Sequence, residues 1–371
     1  MVYRVIGLMS GSALDGLDIA FVEFHETAGK WGYTLQNASC YEYSQEWVQK
    51  LRSATSLNAL DYQLLDRAYG HYLGEQVNRF INEHGIQYKV QLISSHGHTT
   101  FHIPEKQMTA QLGSGAAIAA ITGINVVSDL RAIDVALGGQ GAPIVPIGEQ
   151  LLLGDYLFFL NLGGIANISF NDPLNYIAFD VCPANRVLNM LAENGGKKFD
   201  DRGQMASKGS VEESLLDTLN DLEYYKLPYP KSLSNDFGTD LVYPLIEERN
   251  DDLNDAIRTY AEHICDQVVK SVGALQSEFR LKTISSPAGQ RMLITGGGAK
   301  NTFLMERLTS MLARINVTVI IPSDELVDFK EAIIMGLIGV RRWREENNSL
   351  SSATGASRDS IGGAVWMGQE A

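Results

Sequence analysis

Apolar and polar positions alternate from the first residues of the chain. Tyr3–Ser10 and Leu17–His25 alternate in polarity over much of their length, with a Gly/Ser/Asp turn between them, and Gly32–Tyr43 follows a Gly29-Lys30 turn. A period of two with β-branched enrichment predicts three antiparallel strands in a meander. After Tyr43 the period lengthens. Ser44–Ser53, Ala59–His84 and Ser114–Thr122 read as amphipathic helices, with apolar strands at Val90–Ser95 and Asn125–Ser128 between them.

The second half opens in the same way. Tyr156–Asn161, Ala166–Phe170 and Tyr176–Asp180 read as strands, and Gly163-Gly164 turns the chain between the first two. Helices are predicted at Arg186–Glu193, Val211–Leu219 and Asn254–Phe279, then a strand at Met292–Thr295 and a helix near Asn301–Ala313. A strand at Asn316–Pro322 and a helix at Phe329–Glu345 complete the pattern. No residue-level repeat is visible, but the order of elements repeats. That order predicts two similar α/β domains with a cleft between them. The expected division is 1–130, with a tail of about 355–371 returning to it, and 131–354.

Composition narrows the classes. A chain of 371 residues fits two domains, and 44 acidic against 30 basic residues leave a net charge of −14. An acidic surface repels phosphate backbones, so nucleic acid is not an expected partner. An anionic ligand would have to be held locally by backbone N–H groups, a metal ion or a few placed cations. Three widely spaced cysteines, Cys40, Cys182 and Cys265, make neither a disulfide framework nor a metal set, which suits a reducing compartment. The opening MVYRVIGLMSGSALDG lacks a basic region followed by a long apolar core, so no leader is expected. The longest apolar run, Leu151–Leu162, is broken by Gly154 and Asp155, so no membrane span is expected.

Three glycine turns carry the first candidate chemistry. In the first, Gly11, Ser12, Ala13, Leu14, Asp15, Gly16 and Asp18 combine glycines able to adopt positive φ with hydroxyls and carboxylates. Such a loop can cradle phosphate, and Asp15 or Asp18 can hold Mg²⁺; the plainer reading is a hairpin with ordinary turn formers. The second turn, Gly163-Gly164 with Asn167 beyond it, stands at the matching place in the other half. The third, Gly296, Gly297 and Gly298 followed by Asn301, sits at a strand-to-helix junction that favours an anion. It is a broken dinucleotide fingerprint: Asn301 replaces the last glycine, and Asp324 comes too late to hold a ribose.

His96, with Gly97, His98, Thr99 and His102, follows a strand. Without a nearby carboxylate, substrate hydrogen bonding or structural capping suits these histidines better than zinc. Arg131 can pair with a carboxylate or phosphate, or simply form a surface ion pair. Asp180 ends an apolar strand, where a general base is expected, although a helix cap would use the same residue. Glu331 opens the last apolar helix, where a negative charge is favourable in any case.

Together these residues resemble one family. Gly7–Asp18 (GLMSGSALDGLD), His96–Thr99, Asp129–Arg131, Gly138–Pro146 (GGQGAPIVP), Asn161–Ile168 (NLGGIANI), Asp180, Thr295–Asn301 and Glu331-Ala332 occur in the order seen in the anhydro-N-acetylmuramic acid kinases. The resemblance covers nearly the whole chain, and GGQGAP and NLGGIANI are its specific parts. It implies two actin/hexokinase-like (ribonuclease H-like) domains and a cytoplasmic enzyme of cell-wall sugar recycling that uses ATP and Mg²⁺. In that family 1,6-anhydro-N-acetylmuramic acid is opened by water and phosphorylated on O6. The resemblance matches Asp180 to the base that activates water, and Gly11–Asp18 and Gly163-Gly164 to the phosphate loops. Gly296–Gly298 matches the adenosine-side loop, and His96, Arg131 and Glu331 go to the sugar. The oligomeric state, a homodimer included, stays open.

The sequence also departs from the family. Gly-Thr-Ser becomes Gly11-Ser12-Ala13, and His-Gly-Gln-Thr becomes His96-Gly97-His98-Thr99. Thr-Gly-Pro-Gly-Asn becomes Val181-Cys182-Pro183-Ala184-Asn185. After the retained Pro230-Lys231-Ser232, Thr-Gly-Arg-Glu becomes Leu233-Ser234-Asn235-Asp236. A relative acting on another anhydro-sugar and a nucleotide-binding, chaperone-like protein without sugar turnover are the alternatives. A dinucleotide-dependent oxidoreductase is disfavoured by the broken fingerprint.

Overall fold

A computed structural model describes the chain apart from residues 12–13, 173–175, 230, 235, 250–251, 282–289 and 369–371. Ser12 and Ala13 of the first turn, and Pro230, therefore lie outside the described residues. The principal elements, in chain order, are β1 (Val2–Ser10), β2 (Gly16–Thr27), β3 (Lys30–Glu42), α1 (Ala59–His84), β4 (Leu92–Ser95), β5 (His98–Ile103), β6 (Met108–Leu112), α2 (Gly115–Thr122), β7 (Val126–Ser128) and α3 (Ala132–Ala136). There follow β8 (Phe158–Leu162), β9 (Ile165–Phe170), β10 (Ile177–Pro183), α4 (Asn185–Asn194), α5 (Leu253–Glu278), β11 (Gln290–Thr295), α6 (Thr302–Ala313), β12 (Val317–Ile320), α7 (Asp324–Trp343) and β13 (Ala364–Trp366).

The two sheets share one topology. The first runs β13-β7-β4-β1-β2-β3 and the second β10-β9-β8-β11-β12. In each, the first three strands form an antiparallel meander, the next strand pairs in parallel with the first, and one more pairs in parallel outside that. β13 is an antiparallel addition to the edge of the first sheet. The duplicated α/β domain of the actin/hexokinase-like fold is thus present in both halves. The turn after β1 and the turn after β8 are topologically equivalent, and so are the ends of β4 and β11. His96 therefore stands in one unit where Gly296 stands in the other.

The chain parts into two compact units, Met1–Gly154 with Phe329–Ala371, and Asp155–Asp328. The boundaries expected at 130/131 and 355 move because two later segments pack on the first sheet's unit. Gly7 of β1 has no room for a side chain: a Cβ there would press on the Ala332 carbonyl and lie 2.8 Å from the Gly336 amide of α7. Farther back, Asp134 of α3 accepts hydrogen bonds from Ser349 and Thr354.

Each core packs one long helix on its sheet. In the first unit Ile6, Leu8, Leu17, Ile19 and Phe21 meet Tyr69, Leu73, Val77 and Phe80 of α1. In the second, Phe158, Leu160 and Ile168 meet Tyr260, Ile264, Val268 and Val272 of α5. Full burial of such a side chain contributes roughly 1.5–3 kcal/mol relative to exposure. The ends of α1 are set locally. Asn58 accepts a hydrogen bond from the Asp61 amide at 3.0 Å, and Gly85 closes the helix at φ 61°.

Candidate active site

In the second unit, a short turn returns β8 to β9 and places Asn167 opposite Asp180 in the β9–β10 ladder. The ladder shifts register between Asp180 and Cys182, a bulge that re-aims the strand just where the carboxylate projects. The Asn167 side-chain amide donates to Asp180 Oδ1, and the Leu233 amide donates to Oδ2 at 2.8 Å. The Asp180 backbone is pinned as well, its N–H donating to Lys231 O at 3.1 Å and its carbonyl accepting from Tyr224 Oη at 2.7 Å. Burial raises the Asp180 pKa above the ordinary carboxylate value, while the Leu233 and Asn167 donors oppose the rise. A fixed carboxylate with a raised pKa is what a general base at neutral pH requires. Asn167, expected among the phosphate residues, is instead engaged with this carboxylate.

The glycine turns differ in why they are glycine. Gly296 adopts φ 83°, and Gly298 packs so closely that a Cβ would meet Leu162 Cβ at 2.7 Å. Gly163, Gly164 and Gly297 show neither constraint: the nearest atoms to a Cβ there would lie at 3.5, 3.8 and 3.6 Å, ordinary contacts. Among the described residues, the Gly163 and Gly164 amides donate to no acceptor. These positions leave room for a ligand to approach the backbone. Next to Gly297 and Gly298 opens a cavity of about 300 Å³, lined among others by Asn185, Phe199, Arg202, Lys300 and Asn301. Its size is at the small end for a cofactor pocket. The glycine cluster does not open the helix directly, as the sequence suggested. A 3₁₀ turn, Gly297–Lys300, intervenes, and Asn301 caps α6 by accepting from the Leu304 amide at 3.1 Å.

In the first turn, among the described residues, Leu14 is the one with positive φ, at 57°; Gly16 is extended and is required by close packing, since a Cβ would stand 2.7 Å from Cys40 Sγ. Asp15 is exposed and accepts from the Gly16 amide at 3.0 Å, while Asp18 is partly buried on β2. No cluster of three or more His, Cys, Asp or Glu suited to a metal occurs among the described residues. One or two carboxylate oxygens suit Mg²⁺, which keeps waters and takes the rest of its shell from substrate phosphates. Asp15 and Asp18 fit that role and could not form an all-protein cage.

His96 and Arg131 come together. Arg131 Nε donates to His96 Nε2 at 2.8 Å, and His96 Nδ1 lies 2.9 Å from Gly97 O, so the ring is neutral with its proton on Nδ1. Burial, then Arg131, lowers the His96 pKa to about 3. In this geometry His96 orients Arg131, since both its nitrogens are engaged. Burial also lowers the Arg131 pKa to about 10, opposed by the charges of Glu331 and Asp134. Glu331 does not open its helix: α7 begins at Asp324, two turns earlier.

Sequence reasoning passed over Asp134. Its buried carboxylate accepts from the Gly141 amide at 2.7 Å and from the Ser349 and Thr354 hydroxyls at 2.8 Å each. It anchors the Gly138–Pro146 segment, whose Gly141 carbonyl accepts from Arg131. An isolated acid inside the apolar run Ala132–Leu137 was the available signal. Lys231 and Leu233, which hold Asp180, gave no such signal because their contacts are made by backbone atoms.

Among the described residues no helix is long and apolar enough to cross a membrane. The sequence pattern of the anhydro-N-acetylmuramic acid kinases matches residues 3–368. Anhydro-N-acetylmuramic acid kinase from Hydrogenovibrio crunogenus is 31% identical over 373 residues, 97% of each chain. The protein of the same name from Vibrio vulnificus is 33% identical over 365 residues, 95% of each chain. Among solved structures, the ADPNP-bound activator of the 2-hydroxyisocaproyl-CoA dehydratase from Clostridium difficile aligns at TM-score 0.44 and 12% identity, covering 92% of this chain and 96% of that one. With a match along nearly its whole length, the chain belongs to the anhydro-N-acetylmuramic acid kinase family, phosphotransferases with an alcohol group as acceptor.

Proposed function

We propose that the protein opens 1,6-anhydro-N-acetylmuramic acid with water and phosphorylates O6 from ATP, giving N-acetylmuramic acid 6-phosphate and ADP in cell-wall sugar recycling. The observation that carries this reading is the Asp180 carboxylate, fixed by Asn167 and Leu233 with its pKa raised by burial. Asp180 takes a proton from water as its oxygen bonds to C1 of the sugar. The C1–O6 bond breaks, and O6 takes the γ-phosphoryl group as the phosphoanhydride bond breaks and ADP leaves. Asp180 then returns its proton to solvent. The Gly163 and Gly164 amides bind phosphate oxygens, and the cavity beside Gly297 and Gly298 takes the adenosine end. Mg²⁺, held through Asp15 or Asp18, would supply charge neutralisation on the phosphates. On the sugar side, Arg131, oriented by His96 and balanced by Glu331, binds the substrate's carboxylate.

A coupled ADP-release assay across a panel of anhydro-sugars tests this. ADP release that depends on 1,6-anhydro-N-acetylmuramic acid supports it; a response only to another anhydro-sugar would transfer the activity to that substrate. ATP binding without ADP release on any sugar would leave a nucleotide-binding protein without turnover.

A further inference from the structure

Arg186, the second residue of α4, is a cation in an unfavourable place. The first turn of a helix repels positive charge, and an arginine there is normally offset by a carboxylate. Among the described residues, no acid or hydrogen-bond acceptor meets the Arg186 guanidinium. Yet the side chain is partly buried and does not extend freely into solvent. Its stem lies over the Gly163-Gly164 turn: a Cβ on Gly164 would be 3.8 Å from both Cβ and Nε of Arg186.

The backbone around it is already committed. The Ala184 and Arg186 amides donate to Gly164 O at 2.8 and 3.4 Å, and the Asn185 amide donates to Gly163 O at 3.0 Å. The start of α4 therefore clamps the carbonyl side of the turn, and its own N–H groups are spent. What remains for an anion is the other side of the same turn: the Gly163 and Gly164 amides, with the guanidinium alongside. Pairing planar, forked donors with free amides suits phosphoryl oxygens, whose charge spreads over several atoms as the group is transferred.

We infer that Arg186 is a catalytic residue that binds the β- and γ-phosphate oxygens of ATP and stabilises the charge of the transferred phosphoryl group. This rests on the kinase reading above and adds to it a cation supplied by the protein, beside Mg²⁺. In a chain of net charge −14, a single placed guanidinium at the phosphates also limits electrostatic repulsion of the nucleotide.

The test compares Arg186→Ala, Arg186→Gln and Arg186→Lys with wild type. It measures kcat for ADP release and the affinities for Mg-ATP and AMP by calorimetry. Alanine and glutamine should lower kcat by at least ~10²-fold, the scale for losing one preorganised charge-stabilising donor. Both should weaken ATP binding and leave AMP binding and the sugar KM unchanged. Lysine, which keeps the charge without the fork, should fall between. Glutamine retains most of the stem, so it judges the proposal even if alanine folds poorly. Turnover and ATP affinity within threefold of wild type in folded glutamine and alanine variants would overturn it, and so would an equal loss of ATP and AMP binding. If wild type binds Mg-ATP but turns over no sugar, the kinase reading fails, while the ATP-over-AMP comparison still decides Arg186. A wild type that binds neither nucleotide overturns both.

Discussion

Asp180 accepts one hydrogen bond on each carboxylate oxygen, from the Asn167 side chain and from the Leu233 amide. This geometry sharpens what its replacement should do. Asn cannot take a proton at neutral pH, so Asp180→Asn should lower kcat by about 10²–10⁴, the usual worth of a general base. Asn also offers one acceptor where Asp offers two, so one of the two donors would face an amide NH₂. The variant should therefore lose about 1–3 kcal/mol of stability as well. Measuring kcat on the folded protein beside its Tm separates the two effects; near-normal turnover in a destabilised protein would make Asp180 structural only. The pH dependence has a definite sign. The base must be ionised, and burial raises its pKa, so kcat/KM should fall on the acid side with a midpoint above the ordinary value of about 3.9. A midpoint at or below that value would contradict the raised pKa. At this scale the sequence was a good guide to where Asp180 stands and a poor one to its partners. Its position at the end of an apolar strand was visible, but the Leu233 amide that holds it is 53 residues away. Nor could apolar patterning show that His96 would spend both ring nitrogens on Arg131 and Gly97.

Among the elements, those with strong periodicity and local caps were legible. α1 runs over the very span that its amphipathic pattern predicts, because Asn58 and Gly85 mark its ends chemically. The hairpin of β5 and β6 was not foreseen. His98–Ile103 and Met108–Leu112 are short, mixed in polarity and only partly buried, so no clean period of two marks them. α7 begins earlier than expected, since Asp324 and Glu325 extend it with a polar first turn that hydrophobic patterning cannot register. The contact between β1 and α7 makes a prediction specific to these elements. At Gly7 a methyl group would press on helix backbone, which cannot swing aside as a side chain can. Gly7→Ala should therefore cost at least the ~1–3 kcal/mol typical of overpacking. In a unit of this size that is a Tm loss of about 2–4 °C per kcal/mol. A thermal melt of Gly7→Ala within 1 °C of wild type, where ~1 kcal/mol already shifts Tm by more, would contradict the close approach.

At the level of the whole molecule, the repeated order of strands was readable because each half opens with a meander broken by glycine. The limits of the two units were not, because they depend on where α7 and the chain after it pack. The matching turns, and the open backbone at Gly163, Gly164 and Gly297, lead to a simple binding expectation. Mg-ATP at ~100 times its Kd should stabilise the protein by about 2.7 kcal/mol, seen as a raised Tm, and NAD should not. A shift with NAD alone would contradict the assignment of the glycine turns to a phosphotransferase. The central claim joins ring opening by water to phosphorylation of O6, and product analysis in ¹⁸O-water tests it most directly. The account predicts one ADP per sugar 6-phosphate, ¹⁸O at C1 in a single turnover, and none in the phosphoryl group. ADP formed without sugar, with ¹⁸O appearing in inorganic phosphate, would show water attacking ATP instead and would contradict it.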